Sequence, residues 1–260
     1  GDGNPQRYEQ FVAAENRIWT SIDRVPDNLK KAFIAIEDQR FEKHHGVDIK
    51  RTGGAVLNYI FKGNSSYGGS TITQQLVKNI TNDKKRTKSR KIREMLRAIV
   101  LESKMSKEQI LELYLNTIYL GHGANGVEAA ANVYFSKSVS ELDLAESACI
   151  AGITQYPTLY DPIVNPENNE TKRKTVLKKM SELGYISTDE YETAVSEELK
   201  FKTGRIEESA TQSYFLDNLY EVLLDDLVEK GYTEQFAANM IYNGGLKIYS
   251  TVDPEIQSIM

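Results

Sequence analysis

The spacing of apolar residues predicts a chain that is helical over most of its length. Apolar positions three and four residues apart line one face of an α-helix. The first such helix begins at Pro26-Asp27, and its apolar face holds Leu29, Ala32, Phe33 and Ile36. The same spacing recurs over 48–61, 70–81, 87–104, 106–118, 125–135, 140–153, 167–183, 187–198 and 211–230. The predicted fold class is therefore mainly α.

Three stretches depart from this helical pattern, two as connections and one as a strand. Residues 63–69 are rich in glycine and serine and predict a flexible loop, whereas the three prolines of 154–166 predict an ordered connection. Near the end, residues 246–252 alternate like a β-strand. We expect 48–67 to be mobile and to flank a groove, because its glycines weaken the predicted helix.

The composition is that of an ordinary globular protein, with 40% hydrophobic and 27% charged residues among 260. No apolar run approaches the roughly 18 residues that a membrane-spanning helix needs, and the first residues show no signal peptide. The single cysteine, Cys149, lies in an apolar stretch. This position favours a small buried side chain.

The charge is distributed unevenly along the chain. Although the net charge is −5, residues 83–97 hold eight cations and two anions, and residues 187–260 hold fifteen acids and five bases. A basic island in an acidic protein indicates a local anionic ligand. A phosphate-bearing small ligand fits better than nucleic acid, because no aromatic residues interleave with these cations.

A polar run from Glu37 to Asp48 follows the first predicted helix. The Glu37 carboxylate extends from the edge of the apolar face and is therefore partly in apolar surroundings. A carboxylate in such surroundings can act as a general acid or base near neutral pH. A solvated glutamate at a helix end explains the spacing as well. A metal site at His44, His45 and Asp48 has less support, because adjacent histidines point apart on a helix.

A second polar run, Gly68-Gly69-Ser70-Thr71-Ile72-Thr73-Gln74-Gln75-Leu76-Val77-Lys78-Asn79, opens a helix. Glycines followed by Ser and Thr at a helix start leave backbone N–H groups that can bind an anion. The Gly-Lys-Ser/Thr core of a P-loop is missing. A capped helix after a loop explains Ser70 and Thr71 equally well, but not the paired glutamines beside Lys78.

The basic island forms the third block. Glu94 has Arg90, Lys91 and Arg97 at helical spacings of three and four residues. The opposite side of this helix is apolar and is formed by Ile92, Met95, Leu96 and Ile99. An ordinary solvent-exposed helix face with charges of both signs would explain the ion pairs. It would not explain the large excess of cations.

These blocks, in this order, resemble the family 51 glycosyltransferases of class A penicillin-binding proteins and their monofunctional relatives. The similarity covers roughly residues 20–180. It rests on Glu37-Asp38-x-x-Phe41-x-x-His44-x-Gly46-x-Asp48, Gly69-Ser70-Thr71-Ile72-Thr73-Gln74-Gln75-x-x-Lys78-Asn79, Arg90-Lys91-x-x-Glu94, Lys107-Glu108-Gln109-Ile110-Leu111-Glu112-x-Tyr114-Leu115-Asn116 through Tyr119-x-Gly121, and Gly126-Val127-Glu128-Ala129-Ala130-Ala131-x-x-Tyr134-Phe135.

The resemblance implies a lysozyme-like helical domain with a mobile, membrane-associated subdomain and a short C-terminal β linker. It implies lipid II, an undecaprenyl-pyrophosphate bearing a disaccharide-peptide, as the substrate. Glu37 matches the catalytic base, which takes the proton of the acceptor 4-hydroxyl during inverting transfer. Glu94 matches a second essential acid that holds Lys91 or a divalent metal such as Mg²⁺. No organic cofactor is implied.

The other matched positions are implied to bind substrate, several of them at the diphosphate on which charge develops in the transition state. Lys78, Arg86, Lys91, Ser70 and Gln75 match the phosphate-binding positions. The whole implied set is Asp38, Phe41, His44, Ser70, Thr71, Gln74, Gln75, Lys78, Asn79, Arg86, Arg90 and Lys91.

The resemblance also divides the chain into a glycosyltransferase domain over 1–185, a helical extension over 186–243 and the start of a linker to a transpeptidase domain over 244–260. The implied partners are lipid II, the growing glycan strand, the membrane surface, a transpeptidase domain in cis and other cell-wall synthesis proteins, but not nucleic acid. The implied location is the extracytoplasmic face of the cell membrane, reached through an N-terminal transmembrane helix outside this sequence.

Two other interpretations stay open at this point. A lysozyme-type lytic glycosidase also uses a lone glutamate in a helical domain, but its neutral leaving group has no need of Lys78, Arg86 and Lys91. A non-enzymatic module that docks on anionic lipid predicts that Glu37→Gln leaves every measurable property intact.

Overall fold

The computed structural model describes residues 16–51, 69–81, 87–201 and 214–232, together with 237, 241 and 248–249. The chain divides into two compact units, one from Arg17 to Gly204 and one made of the two chain ends. Residues 248–249 of the predicted tail strand are not in a strand. The other predictions that lie outside the described residues concern Arg86, most of 48–67 and the rest of the strand over 246–252.

The larger unit is mainly helical, which confirms the predicted fold class. Its α-helices are α1 (Asp27–Glu37), α2 (Ile72–Thr81), α3 (Lys88–Glu102), α4 (Lys107–Thr117), α5 (Val127–Phe135), α6 (Leu144–Ile153), α7 (Pro166–Glu182) and α8 (Thr188–Ser196). Short 3-10 helices cover Ile22–Arg24, Phe41–Lys43 and Val139–Glu141. The larger unit also contains the short strand β2 (Ala124–Asn125), and the two-residue strand β1 (Asn16–Arg17) lies at the boundary between the units.

The second unit contains the helix α9 (Tyr214–Glu229). Within the described parts of both units, no helix is at once long enough and apolar enough to cross a membrane.

Helix α6 forms the centre of the larger unit. All of its residues from Ala145 to Ile153 are buried, as expected of a helix with apolar residues around most of its circumference. Both α1 and α7 pack against it. Cys149 is buried and free, as predicted, and burial raises the pKa of its thiol. The packing of α1 on this core fixes the position of Glu37, the last residue of α1.

Helix α2 packs against α3 and α4, and its start is closed by a capping box. The Gln74 N–H donates to Thr71 Oγ1 (3.1 Å), and the Thr71 N–H donates to Gln74 Oε1 (3.0 Å). The Thr71 hydroxyl also donates to the main-chain oxygen of Gly46 (2.6 Å). These bonds tie the start of α2 to the loop that follows α1.

That loop lies directly against the backbone of α3. Gly46 has a φ of +82°, and a Cβ placed there would lie 2.5 Å from the Ala98 main-chain oxygen. Only glycine adopts this conformation without strain and leaves room for such a close approach.

Helix α3 buries Glu94 and leaves most of its apolar side exposed. Glu94 is only 4% exposed and Ala98 is fully buried, whereas Ile92 and Leu96 are each 59% exposed. The periodic pattern of an amphipathic helix favours the opposite orientation, with the apolar side in the core. The ion pairs of Glu94, described below, provide the interactions that allow this acid to be buried.

Candidate active site

Glu37 ends α1 and is only 6% exposed. Each of its carboxylate oxygens accepts a hydrogen bond from a neutral side chain. Gln75 Nε2 donates to Oε2 (2.7 Å), and the Thr154 hydroxyl donates to Oε1 (2.6 Å). Two donors from different elements therefore fix the orientation of this carboxylate.

Tyr114 in turn orients Gln75. Its ring is fully buried in the core, and its hydroxyl donates to Gln75 Oε1 (3.2 Å), which leaves Gln75 Nε2 to face Glu37. Burial raises the pKa of Tyr114 well above its ordinary value, and the negative charges of Glu37 and Asp38 raise it further. Tyr114 therefore keeps its proton and remains a donor.

Two cations lie near Glu37 without bonding its carboxylate. Arg51 Nη1 donates to the Glu37 main-chain oxygen (2.5 Å). Lys172 donates to Gln155 Oε1 (2.8 Å). Burial lowers the pKa of Lys172, and the charge of Glu37 acts in the opposite direction. Two cations therefore lie near Glu37, while neutral groups bond its carboxylate oxygens.

Asp38 joins the end of α1 to the start of α2. It is fully buried, and its Oδ2 accepts from the Ile72 N–H (3.0 Å) and lies 2.8 Å from His44 Nε2. A carboxylate at a helix N-terminus is also favoured by the helix dipole. Phe41 is fully buried, and Lys107 Nζ lies 4.4 Å from its ring centroid. These residues form the frame of the site, and their predicted contact with substrate stays a prediction.

The second acid, Glu94, is surrounded by donors. Its Oε2 accepts from Arg90 Nη1 (2.6 Å), and its Oε1 accepts from Lys91 Nζ and more distantly from Gln74 Nε2 (3.4 Å). Lys91 Nζ also donates to Ser70 Oγ (2.7 Å). Glu94 therefore fixes the two cations in front of the start of α2.

The described residues do not fit a divalent metal at Glu94, because cations already bond both of its oxygens. Within the described ranges, no group of three or more His, Cys, Asp and Glu residues is placed to hold a metal ion. His44 is buried while His45 is exposed, so the two histidines do point apart. A requirement for Mg²⁺ stays a prediction.

Helix α2 brings the two acids into one site through its neighbouring glutamines. Gln74 donates to Glu94, and Gln75 donates to Glu37. Successive side chains on a helix point about 100° apart, so one helix start can serve an acid on each side. Lys78 follows one turn later and is exposed, as is Asn79.

Several residues in contact with this network, or close to it, were not among the predicted site residues, and Arg51, Thr154, Lys172 and Tyr114 are four of them. Thr154 lies 117 residues from Glu37 in sequence, so no periodicity connects the two. Lys172 looks like any other lysine on a polar helix. Tyr114 lies within a block that carries the family resemblance, and this was the one signal that could have found it.

The sequence of this chain matches a known protein family. A family model described as "Transglycosylase" matches residues 4–181, and the chain belongs to this family. The family assignment made from the sequence is confirmed.

Penicillin-binding proteins are among the relatives that this chain is similar to. Penicillin-binding protein 1A of Clostridium perfringens (strain 13 / Type A) is 42% identical over 96% of this chain and 39% of its own length. The protein of the same name from Aquifex aeolicus is 42% identical over 95% of this chain and 32% of its own length. The crystal structure of Penicillin-Binding Protein 1A from Haemophilus influenzae matches 86% of this chain and 23% of that chain, with 26% identity and a TM-score of 0.48. This chain spans about a third of the length of the curated relatives that it matches.

Proposed function

We propose that the larger unit is a peptidoglycan glycosyltransferase that polymerises lipid II into glycan strands. One observation carries the proposal: two buried acids lie on either side of the start of α2, and their partners differ in charge. Neutral donors hold Glu37, and cations hold Glu94. Membership of the transglycosylase family supports the same conclusion.

Glu37 is the general base in this proposal. The 4-hydroxyl of the acceptor sugar gives its proton to the Glu37 carboxylate, and the oxygen electron pair forms the new bond to the anomeric carbon of the donor. The bond from that carbon to the diphosphate breaks, and its electron pair leaves with the diphosphate. Attack opposite to the leaving group inverts the anomeric carbon. An oriented carboxylate is suited to this task, since a base must be held within hydrogen-bond reach of the proton it removes.

Lys91, held by Glu94 and Ser70, stabilises the departing undecaprenyl diphosphate, with Lys78 exposed one turn along α2. Preorganised cations aimed at developing charge typically contribute several kcal/mol to transition-state stabilisation. This is also what favours a transferase over a lytic glycosidase, because a glycan chain that leaves as an alcohol brings no negative diphosphate for these cations to bind.

The wider setting belongs to the same proposal. The partners are the growing glycan strand, the membrane surface that supplies the lipid substrate, a transpeptidase domain in cis and other cell-wall synthesis proteins. The proposed location is the extracytoplasmic face of the cell membrane.

The test is polymerisation of lipid II by the wild type and by Glu37→Gln, with binding of the phosphoglycolipid moenomycin measured on both. We expect the wild type to make polymer, and the variant to make none while it binds moenomycin as tightly as the wild type. Glu108→Gln makes the same change at an exposed position at the start of α4 and should polymerise normally.

Near-normal polymerisation by Glu37→Gln would remove Glu37 from the mechanism. If the wild type cleaved polymeric peptidoglycan and did not polymerise lipid II, the protein would be a hydrolase instead.

A further inference from the structure

Thr154 is the C-cap residue of α6, and its hydroxyl has two acceptors within reach. Its Oγ1 lies 2.6 Å from Glu37 Oε1 and 3.1 Å from the Ala151 main-chain oxygen. A hydroxyl has one hydrogen and two lone pairs, so it donates fully to only one of these acceptors at a time. A charged acceptor forms the stronger bond, and the ionised Glu37 is therefore the preferred one.

Gln75, the other partner of the carboxylate, has no such choice. It reaches Glu37 through Nε2, which can only donate, and its Oε1 accepts from Tyr114. Once Glu37 takes up a proton, its new O–H needs an acceptor. Of the two side chains that bond its oxygens among the described residues, only Thr154 presents lone pairs to Glu37, because the Gln75 oxygen faces the Tyr114 hydroxyl instead.

The second acceptor of Thr154 is held rigidly. Ala151 is fully buried in the core helix α6, so its oxygen keeps its position when the charge of Glu37 changes. Rotation about the Cβ–Oγ1 bond is enough to move the hydroxyl hydrogen of Thr154 from Glu37 to Ala151. Exchange of this kind between two bonded arrangements requires no movement of heavy atoms.

We propose that Thr154 is a positioning residue that serves Glu37 in both of its protonation states; this inference rests on the proposed function of Glu37 as the base. Before the reaction, the Thr154 hydroxyl donates to Glu37 Oε1 and holds the carboxylate. After the sugar proton reaches Oε1, the Thr154 hydroxyl donates to Ala151 and accepts the new O–H of Glu37. One proton has moved from the sugar hydroxyl to Glu37, and Thr154 has neither gained nor lost one.

The charged and titratable groups around Glu37 come from several elements. Asp38 is its neighbour in the chain, Arg51 bonds its main-chain oxygen, Tyr114 approaches from α4, and Lys172 approaches from α7. None of these four groups is a hydrogen-bond partner of the Thr154 hydroxyl, which reaches Glu37 Oε1 and the Ala151 main-chain oxygen. A shift in the pH dependence of a Thr154 variant would therefore report the loss of its hydroxyl rather than a change in these groups.

The experiment compares Thr154→Val, which keeps the shape and removes the hydroxyl, with Thr154→Ser, which keeps the hydroxyl. The rate of lipid II polymerisation is measured from about pH 5 to about pH 9, the range in which an ionising base shapes a rate profile. We expect Thr154→Val to lower kcat about ten-fold with little change in KM. The acid limb of its profile should move to higher pH, because the ionised base has lost a donor. Thr154→Ser should restore both the rate and the profile.

The matched control is Thr117→Val. The Thr117 hydroxyl donates to the main-chain oxygen of Leu113 (2.7 Å) at the end of α4 and contacts neither acid. This variant should keep the wild-type rate and profile. Melting temperatures identify any variant that does not fold. If Thr154→Val does not fold, Thr154→Ala replaces it with the same expectation.

A wild-type rate and acid limb in Thr154→Val would overturn the proposal, as would a loss of rate that Thr154→Ser fails to restore. The Glu37→Gln assay distinguishes failure of the base assignment from failure of the Thr154 proposal. If Glu37→Gln polymerises normally, the base assignment fails and the role of Thr154 fails with it. If Glu37→Gln is inactive and Thr154→Val behaves like the wild type, only the Thr154 proposal fails.

Discussion

The hydroxyl of Tyr114 offers a sharp test of how the base is oriented, because it acts on Glu37 only through Gln75. Tyr114→Phe removes one oxygen and no carbon. The edge-on contact between this ring and Phe33, with centroids 6.0 Å apart and planes at 85°, is kept. What is lost is the bond to Gln75 Oε1 (3.2 Å), so the amide of Gln75 becomes free to turn its oxygen toward Glu37.

The size of the effect follows from the bond that is removed. A neutral hydrogen bond contributes about 1 kcal/mol net, and a factor of ten in rate corresponds to about 1.4 kcal/mol. We therefore expect kcat for lipid II polymerisation to fall about five-fold. The KM should change little, since Tyr114 is buried and its hydroxyl bonds Gln75. The same loss should lower the melting temperature by about 2–4 °C.

A double-mutant cycle shows whether the effect passes through Gln75. Gln75→Leu removes the amide, so adding Tyr114→Phe to that variant should cost no further activity. An equal five-fold loss in both backgrounds would show that Tyr114 acts independently of Gln75. An unchanged kcat for Tyr114→Phe alone would refute the argument that this hydroxyl sets the orientation of the amide.

Two further predictions concern the basic side of the site and the loop packed behind it. Lys91→Ala removes the ammonium group that contacts the second acid and should lower kcat/KM about 100-fold. The control Lys104→Ala changes an exposed lysine beyond α3 and should leave kcat/KM unchanged. An unaffected kcat/KM in Lys91→Ala would contradict the diphosphate assignment. Gly46→Ala should lower the free energy of unfolding by more than about 2 kcal/mol, because it combines a φ of +82° with a Cβ 2.5 Å from the Ala98 oxygen. Gly184→Ala, with a φ of +70° and nothing within 4 Å, measures the backbone strain alone, and equal losses in thermal unfolding would show that the close approach has no cost.

The helices and the three polar blocks could be predicted from the sequence because both are local. Apolar periodicity gives the helices, and the predicted 106–118 and 140–153 contain the observed α4 and α6. The residues of a block stay together in any fold. The local pattern thus makes Glu37 a candidate acid or base, which the family resemblance assigns as the base, and it places Lys91 and Glu94 together on one helix.

The inward side of α3 could not be predicted in the same way. Its pattern contains an apolar side and a charged side, and the usual rule buries the apolar one. Burial of Glu94 depends on Arg90 and Lys91 within the helix, but also on Gln74 from α2. That last contact exists only after the helices have packed.

The partners of the paired glutamines, Gln74 and Gln75, could not be predicted from the local sequence. The glutamines were singled out because capping alone did not explain them beside Lys78. In the structure Gln74 does close the cap, through its contacts with Thr71, and it also reaches Glu94, while Gln75 reaches Glu37. A capping box is visible in a sequence, but the acid that each glutamine meets is decided by tertiary packing.

The two acids have different partners because they have different tasks, and both contact the start of α2 through its glutamines. An acid that is paired with cations has its charge compensated, and it holds those cations in position. Glu94 does this for Arg90 and Lys91. An acid that must accept a proton needs partners that orient it without neutralising it, and among the described residues neutral groups bond the oxygens of Glu37. Because adjacent residues of α2 contact both acids, a shift of this helix would disturb the proton acceptor and the cationic side together. The rigid unit of this site is therefore the start of α2, fixed by Asp38 and by the contact of Thr71 with Gly46.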